Sequence, residues 1–244
     1  MKREAFYILV MISILLCTGL TTAQAAQPLQ LGAKEYNSGN YEKAVEYLVE
    51  AVANNPEKRI SHYLLGLSYY KLEKYEFAQT QLEKAHEIAP KDYKTLINLG
   101  RTYYQLDKLQ AAIDIANQAL KNDHAQAEAY ALLGRVHSAQ SKFEVAIKNF
   151  KQAVKIEEEN YYYQNYLGYL YLQTGRYKKG IPHLERAAKL NAEAPYIFNN
   201  LGISYENTGQ LKKAKKAYQK ALVINPNYTK AKTNLKRIKE KQSE

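Results

Sequence analysis

From residue 26 onward, apolar residues recur three and four positions apart, as at Tyr75, Ala78, Leu82 and Ala85. That spacing gathers them on one side of an α-helix. Polar pairs such as Asn54-Asn55 and prolines at Pro56, Pro90 and Pro226 interrupt the helical blocks. The pattern then repeats. Leu-Gly steps stand at Leu31-Gly32, Leu65-Gly66, Leu99-Gly100, Leu133-Gly134, Leu167-Gly168 and Leu201-Gly202, each 34 residues after the last, with no insertion. An unbroken period of this size predicts a stacked array of helical pairs rather than a single globular core. A glycine inside a helix costs roughly 1 kcal/mol against alanine, so six glycines at one phase require a packing reason. Small residues recur on the second helix at Ala44, Ala78, Ala112, Ala146, Gly180 and Ala214, and again at Ala51, Ala85, Ala119, Ala153, Ala187 and Ala221. The expectation is that each glycine faces an alanine, so that two backbones approach closely while large residues fill the gaps between pairs.

Three residues after the glycine stand Tyr69, Tyr103, Tyr171 and Tyr205. Gly39, Gly175 and Gly209 mark a turn, and Tyr41, Tyr75, Leu109, Phe143, Tyr177 and Leu211 open the second helix. On the 34-residue frame these residues resemble the tetratricopeptide repeat. The resemblance covers residues 26–228. It implies an all-α fold, an α-solenoid of six stacked 34-residue helix-turn-helix repeats at about 26–58, 59–92, 93–126, 127–160, 161–194 and 195–228. A last helix from about Lys230 to Lys241, with the stripe Ala231, Leu235 and Ile238, reads as the cap such arrays need, within a basic segment 229–244. The chain departs from the family in having no tryptophan. His62, Leu96, Tyr130, Gln164 and Phe198 stand where the family often has one. Repeat 3 departs most, with Leu109 and Ala116 in place of larger or aromatic residues and His124 in place of proline. It is expected to be the softest joint.

The first segment reads as an address. Lys2 and Arg3 precede an apolar run from Ala5 to Cys17, and Thr21-Thr22-Ala23-Gln24-Ala25 follows. This is the layout of a secretory signal peptide, 1–25, cleaved near Ala25. The alternative is an uncleaved N-terminal membrane anchor, for which the run is short against the roughly 20 apolar residues of a span. Cys17 is the one cysteine. Lipoprotein signals resemble Leu-x-(Gly/Ala/Ser)-Cys, and Leu16 directly before Cys17 departs from that. The mature chain would then hold no cysteine, hence no disulfide, thiolate metal site or Cys nucleophile. The likeness to short exported repeat proteins implies a bacterial protein, periplasmic or secreted.

The net charge of +11 is uneven. Between Lys212 and Lys241 stand eleven Lys and Arg and one acid, Glu240, so nearly all of the excess lies there. Lys212, Lys213, Lys215, Lys216, Lys232, Lys236 and Arg237 make up the core of this basic end. It suits an anionic surface: lipid headgroups, a cell-wall polymer or an acidic protein. The same charge is also what a solvated cap needs. Nucleic acid is not an expected partner of an exported protein.

In repeats of this family the first helices line the concave face. Read by phase, the stripe beside the packing stripe holds Tyr63, Tyr70, Arg101, Tyr104, Arg135, Tyr162, Asn165, Tyr169, Tyr196 and Asn199. Tyr and Arg bury much area and still make hydrogen bonds, which favours them at binding hot spots. Asn can bond both the N–H and the C=O of an extended peptide. Six tyrosines crowd the helix that opens repeat 5: Tyr161, Tyr162, Tyr163, Tyr166, Tyr169 and Tyr171. Tyr166 and Tyr171 fit repeat packing, and a two-layer array cannot bury every face of the rest. Some relatives clamp C-terminal carboxylates with Lys and Asn. Only scattered elements of that set, Lys94 and Asn200, occur here, and the specificity is not carried over.

Catalytic signals are weak. No two of His62, His86, His124, His137 and His183 sit at i, i+4 spacing with a third ligand in reach, so neither a metal nor a cofactor is expected. The repeat glycines lie within helices and form no phosphate loop. Glu157, Glu158 and Glu159 fall at a repeat junction and read as a solvated turn. The chain is therefore expected to be a non-catalytic protein–protein interaction scaffold. It would bind a peptide or partner helix in its groove, in a bacterial envelope assembly. The alternative is an adaptor to an anionic surface through the basic end. Self-association through the end repeats is a further open partnership.

Overall fold

A computed structural model describes residues 27–123 and 126–241. The signal segment 1–25 with Cys17, and His124 of repeat 3, lie outside the described residues. Among the described residues there are thirteen helices and no strand: α1 over 27–37, α2 (Tyr41–Asn54), α3 (Arg59–Lys71), α4 (Tyr75–Ile88), α5 (Tyr93–Gln105), α6 (Leu109–Asn122), α7 (Ala127–Ala139), α8 (Phe143–Ile156), α9 (Tyr161–Gln173), α10 (Tyr177–Leu190), α11 (Pro195–Asn207), α12 (Leu211–Ile224) and α13 (Thr229–Lys241). None of them is long and apolar enough to cross a membrane. The chain divides within α6 into two compact units, 1–119 and 120–244.

Within the first unit α2 packs on α3, α3 on α4 and α4 on α5, with α3 also touching α5. Within the second, each helix from α7 to α13 packs on the next, and α9 touches α11. Each unit is thus a run of stacked helix pairs, the architecture of an α-solenoid. The turn inside each pair places one residue in the left-handed region at the same phase of the 34-residue frame. Gly39, Gly175 and Gly209 do so at φ of 81°, 70° and 76°, and Glu73, Asp107 and Ser141 at 57°, 56° and 58°. Glycine adopts this conformation without a Cβ penalty. The other three carry that penalty.

The packing reason for the periodic glycines differs from the expectation. Gly32, Gly66, Gly134, Gly168 and Gly202 each face a large residue of the second helix rather than the alanine. A Cβ on Gly32, Gly66 or Gly168 would lie 2.5, 2.7 or 2.5 Å from Leu48, Leu82 or Leu184, and one on Gly134 or Gly202 would lie 2.5 Å from Phe150 or Tyr218. The alanine phase contributes its backbone: the carbonyls of Ala44 and Ala78 are next nearest, at 3.4 and 3.3 Å. Direct backbone approach is closest at Gly180, where a Cβ would lie 2.9 Å from the Gly168 carbonyl. The glycine makes a socket, and a Leu, Phe or Tyr fills it.

A histidine–glutamine pair ties a helix pair to the loop before it in each unit. His62 on α3 bonds Gln81 on α4 (2.8 Å) and the Pro56 carbonyl (2.8 Å). In the second unit the types are exchanged. Gln164 on α9 donates to the Glu158 carbonyl (2.9 Å), and His183 on α10 bonds Gln164 Oε1 (2.8 Å). Because Gln164 spends its N–H on the loop, its oxygen must accept, which fixes the proton on His183 Nδ1. Burial, with Lys151 nearby, holds His183 below the ordinary histidine pKa.

The last helix is latched. Ala231 and Ile238 are fully buried on the second unit. Arg237 donates to both oxygens of Glu206 (2.9 and 2.6 Å), and Tyr218 donates to the same carboxylate (2.9 Å). Burial and this bond push the Tyr218 phenol above its ordinary pKa.

Candidate functional site: a tyrosine–asparagine cleft in the second unit

The cleft starts from a helix cap. Asn160 accepts from the backbone N–H of Tyr162 (3.1 Å) and Tyr163 (3.4 Å), which starts α9 and sets its phase. With that phase Tyr163 and Tyr171 turn inward, each 5% exposed, while Tyr162, Tyr166 and Tyr169 stay half-buried along one face. The fit of Phe150 into the Gly134 socket prepares the support beneath. Phe150 is fully buried, and Tyr166 stacks on it with centroids 5.0 Å apart and planes at 12°. Tyr162 leans on Tyr166 at 4.7 Å and 48°, and Tyr169 meets it edge-on at 6.5 Å and 75°. The next first helix, α11, adds Tyr196, 37% exposed, and Asn200. Together Tyr162, Asn165, Tyr166, Tyr169, Tyr196 and Asn200 line a cleft of about 410 Å³.

Asn200 Nδ2 donates to Asn165 Oδ1 (3.3 Å) across the cleft. That bond uses one amide proton of Asn200 and one lone pair of Asn165, and leaves the Asn165 amino group as a donor and the Asn200 oxygen as an acceptor. Among the described residues no charged side chain lines the cleft. Burial and the Tyr161 hydroxyl, hydrogen-bonded to Tyr196, raise the Tyr196 pKa, so its phenol is neutral at physiological pH.

Four of the ten groove candidates therefore share one site: Tyr162, Asn165, Tyr169 and Tyr196. Asn199 does not join them. It is 3% exposed, and its side-chain oxygen accepts from Asn234 on α13 (3.0 Å). Arg135 is half-buried on α7 and engaged with a neighbour. Tyr63, Tyr70, Arg101 and Tyr104 belong to the first unit and are all half-buried there. Tyr63 accepts from Asn98 (3.1 Å) beneath the Arg59 guanidinium, 5.6 Å from its ring centroid, and burial raises its pKa. Tyr70 accepts from Gln105 (3.3 Å). Arg101 and Tyr104 are each engaged with neighbours. Sequence reading missed two lining residues. Tyr166 was assigned to packing, which it does, while its other side faces the cleft. Asn200 sits one position past the stripe read by phase. The signal that finds it is the bonding interval: Tyr63–Asn98, Tyr70–Gln105, Asn165–Asn200 and Asn199–Asn234 are all 35 residues apart, not 34.

At the basic end Lys212, Lys213, Lys216, Lys232 and Lys236 are exposed and Lys215 is half-buried. Lys213 lies 5.2 Å over the Tyr205 ring, and Lys236 approaches Glu240 at 3.9 Å. Arg237 is spent on Glu206, whose side chain is only 7% exposed. A shallow trough of about 280 Å³, floored by Phe198, Leu201, Tyr205 and Ala217, is rimmed by Lys213, Lys216 and Lys220. The junction carboxylates serve the fold: Glu159 pairs with Arg186 (2.7 Å), and Glu157 accepts from Asn160 (3.0 Å). Among the described residues no three His, Cys, Asp or Glu gather as metal ligands would.

Three family models, each described as tetratricopeptide repeat, match residues 57–123, 131–195 and 195–228, together well over half of the chain. No curated protein matches the chain. Among solved structures, a chain of the APC/C hetero-tetramer Cut9–Hcn1 is similar with TM-score 0.77 and 18% identity, over 88% of this chain and 42% of that one. This chain thus spans less than half of that relative's length. PilF of Pseudomonas aeruginosa is similar with TM-score 0.75 and 15% identity, over 87% of this chain and 97% of that one. YrrB, described as a TPR protein with an unusual peptide-binding site, is similar with TM-score 0.60 and 19% identity, over 79% of this chain and 99% of that one. At these identities the likeness is one of fold, and with the family matches it has one meaning: the chain belongs to the tetratricopeptide repeat family.

Proposed function

We propose that the protein is a non-catalytic interaction scaffold whose second unit holds an extended segment or helix of a partner protein against its first-helix face. The observation that carries this reading is the cleft itself. Two successive first helices present tyrosines and a half-satisfied asparagine pair, side chains that grip a backbone and pack its substituents at once. The peptide-binding site named for the similarly folded YrrB supports it by analogy of fold. The basic, apolar, Ala-x-Ala sequence of 1–25 supports export, so the scaffold would serve a bacterial envelope assembly, either released near Ala25 or held by that segment as an anchor.

A second reading rests on the basic end, whose lysine-rimmed trough lies on α11 and α12: attachment to an anionic surface. Capture from envelope extract at low and high salt separates the two. The groove reading expects a protein partner retained at high salt by the native chain and by the variant Lys213→Gln, Lys216→Gln, Lys220→Gln. That partner should be lost from Tyr162→Ala, Tyr169→Ala. Partners lost to salt and to the lysine changes, but indifferent to the tyrosine changes, would give the function to the basic end.

A further inference from the structure

The cleft's chemistry narrows what it accepts. None of its six lining side chains is charged. An acidic or basic segment would give up hydration there and find no counter-charge. The rings also fail to offer a flat platform. Tyr162 and Tyr169 stand at 48° and 75° to Tyr166 with ring centroids 4.7 and 6.5 Å apart, so the rings touch one another and the floor they make is corrugated. A sugar ring needs one broad aromatic face to stack on. A compact, apolar ring can rest on such a surface against two tilted faces at once.

The polar groups point the same way. The Asn165 amino group offers a donor, and the Asn200 oxygen an acceptor, to a bound backbone. A proline carries a carbonyl that such a donor can bond and no N–H of its own to leave unbonded. Such a segment is already extended as a polyproline II helix and loses little conformational freedom on binding, the reason aromatic-lined grooves recur as its receptors. Resting on the scaffold reading above, we infer that the cleft of Tyr162, Asn165, Tyr166, Tyr169, Tyr196 and Asn200 takes an uncharged, proline-bearing extended segment of its partner.

Fluorescence anisotropy on the full chain tests this with two labelled, end-blocked peptides, one of Ala-Pro-Pro triplets and one of Ala-Ser-Ser triplets, and with an N-acetylglucosamine oligosaccharide. The proline peptide is expected to bind about tenfold more tightly than the serine peptide, with little dependence on salt. Tyr169→Ala and Asn200→Ala should each weaken it several-fold, whereas Tyr169→Phe, which keeps the ring, should retain most of the affinity. Thermal melts confirm that each variant is folded. Equal binding of both peptides would overturn the proline preference and leave the scaffold standing. So would failure of both peptides while a partner is still captured through the tyrosines. Binding of the oligosaccharide in place of either peptide would overturn both readings. A proline preference that survives Tyr169→Ala and Asn200→Ala in folded protein would place the site elsewhere and overturn the assignment.

Discussion

At the scale of single residues, the site is built outward from a glycine. Gly134 leaves the socket that Phe150 fills, and Phe150 carries Tyr166, on which Tyr162 and Tyr169 lean. Gly134→Ala should cost roughly 1–2 kcal/mol, because overpacking against the Phe150 ring outweighs the gain in helix propensity. Denaturant melts give the cost, and a loss of partner affinity should accompany it. His183 makes a prediction in pH. Its pKa lies below the ordinary 6.5, so the folded chain prefers the neutral ring and the unfolded chain takes up the proton first. Stability is complete above that value and falls as pH drops through it. His183→Gln should flatten the loss measured over roughly pH 5–7. The glycine and tyrosine phases were legible in the sequence because they repeat in line. The His–Gln exchange was not, since its partners, Gln81 for His62 and His183 for Gln164, lie on different helices. Asn200 escaped because successive first helices meet one residue out of phase, a step of about 100° around a helix. That step sends Asn165 to Asn200 and Asn199 to Asn234.

At the scale of elements, every helix pair turns through one left-handed residue, and half of these turns lack the residue suited to it. Glu73→Gly should stabilise the chain by about 0.5–1 kcal/mol, and Gly175→Ala should destabilise it by about 1–2 kcal/mol. Thermal melts of the two variants check both signs. The capping helix is held by more than its apolar stripe. The sequence marked Arg237 as one more surface cation, since nothing local shows that Glu206, on another helix, waits for it. Removing Arg237 leaves a carboxylate in contact with Tyr218 and shielded from water. Arg237→Ala should therefore cost roughly 1–3 kcal/mol, less than a fully buried pair would because the arginine end is partly solvated. Faster amide exchange confined to α13 and the adjoining part of α12 would identify the latch; an unchanged exchange pattern would deny it. The neighbouring Lys236→Ala, with both ends of its ion pair exposed, should change little.

At the scale of the whole molecule, the 34-residue period carried the architecture, because a solenoid is a sum of neighbour contacts and each repeat writes its own share into the sequence. The same logic makes weak repeats local weaknesses. The two units divide within α6, in the repeat where Leu109 and Ala116 replace larger side chains. Amides of α6 should exchange faster than those of α4 or α8, and uniform protection along the chain would refute a soft third repeat. The account's central claim is that the partner sits on the tyrosine–asparagine face of the second unit. Site-specific photo-crosslinking in cells that make the protein tests it most directly, with a benzophenone side chain placed at Tyr169 or at Val223, which is 74% exposed on α12. The account predicts a discrete protein adduct from position 169 and none from 223. An adduct from 223 alone would contradict it and move the function to the basic end.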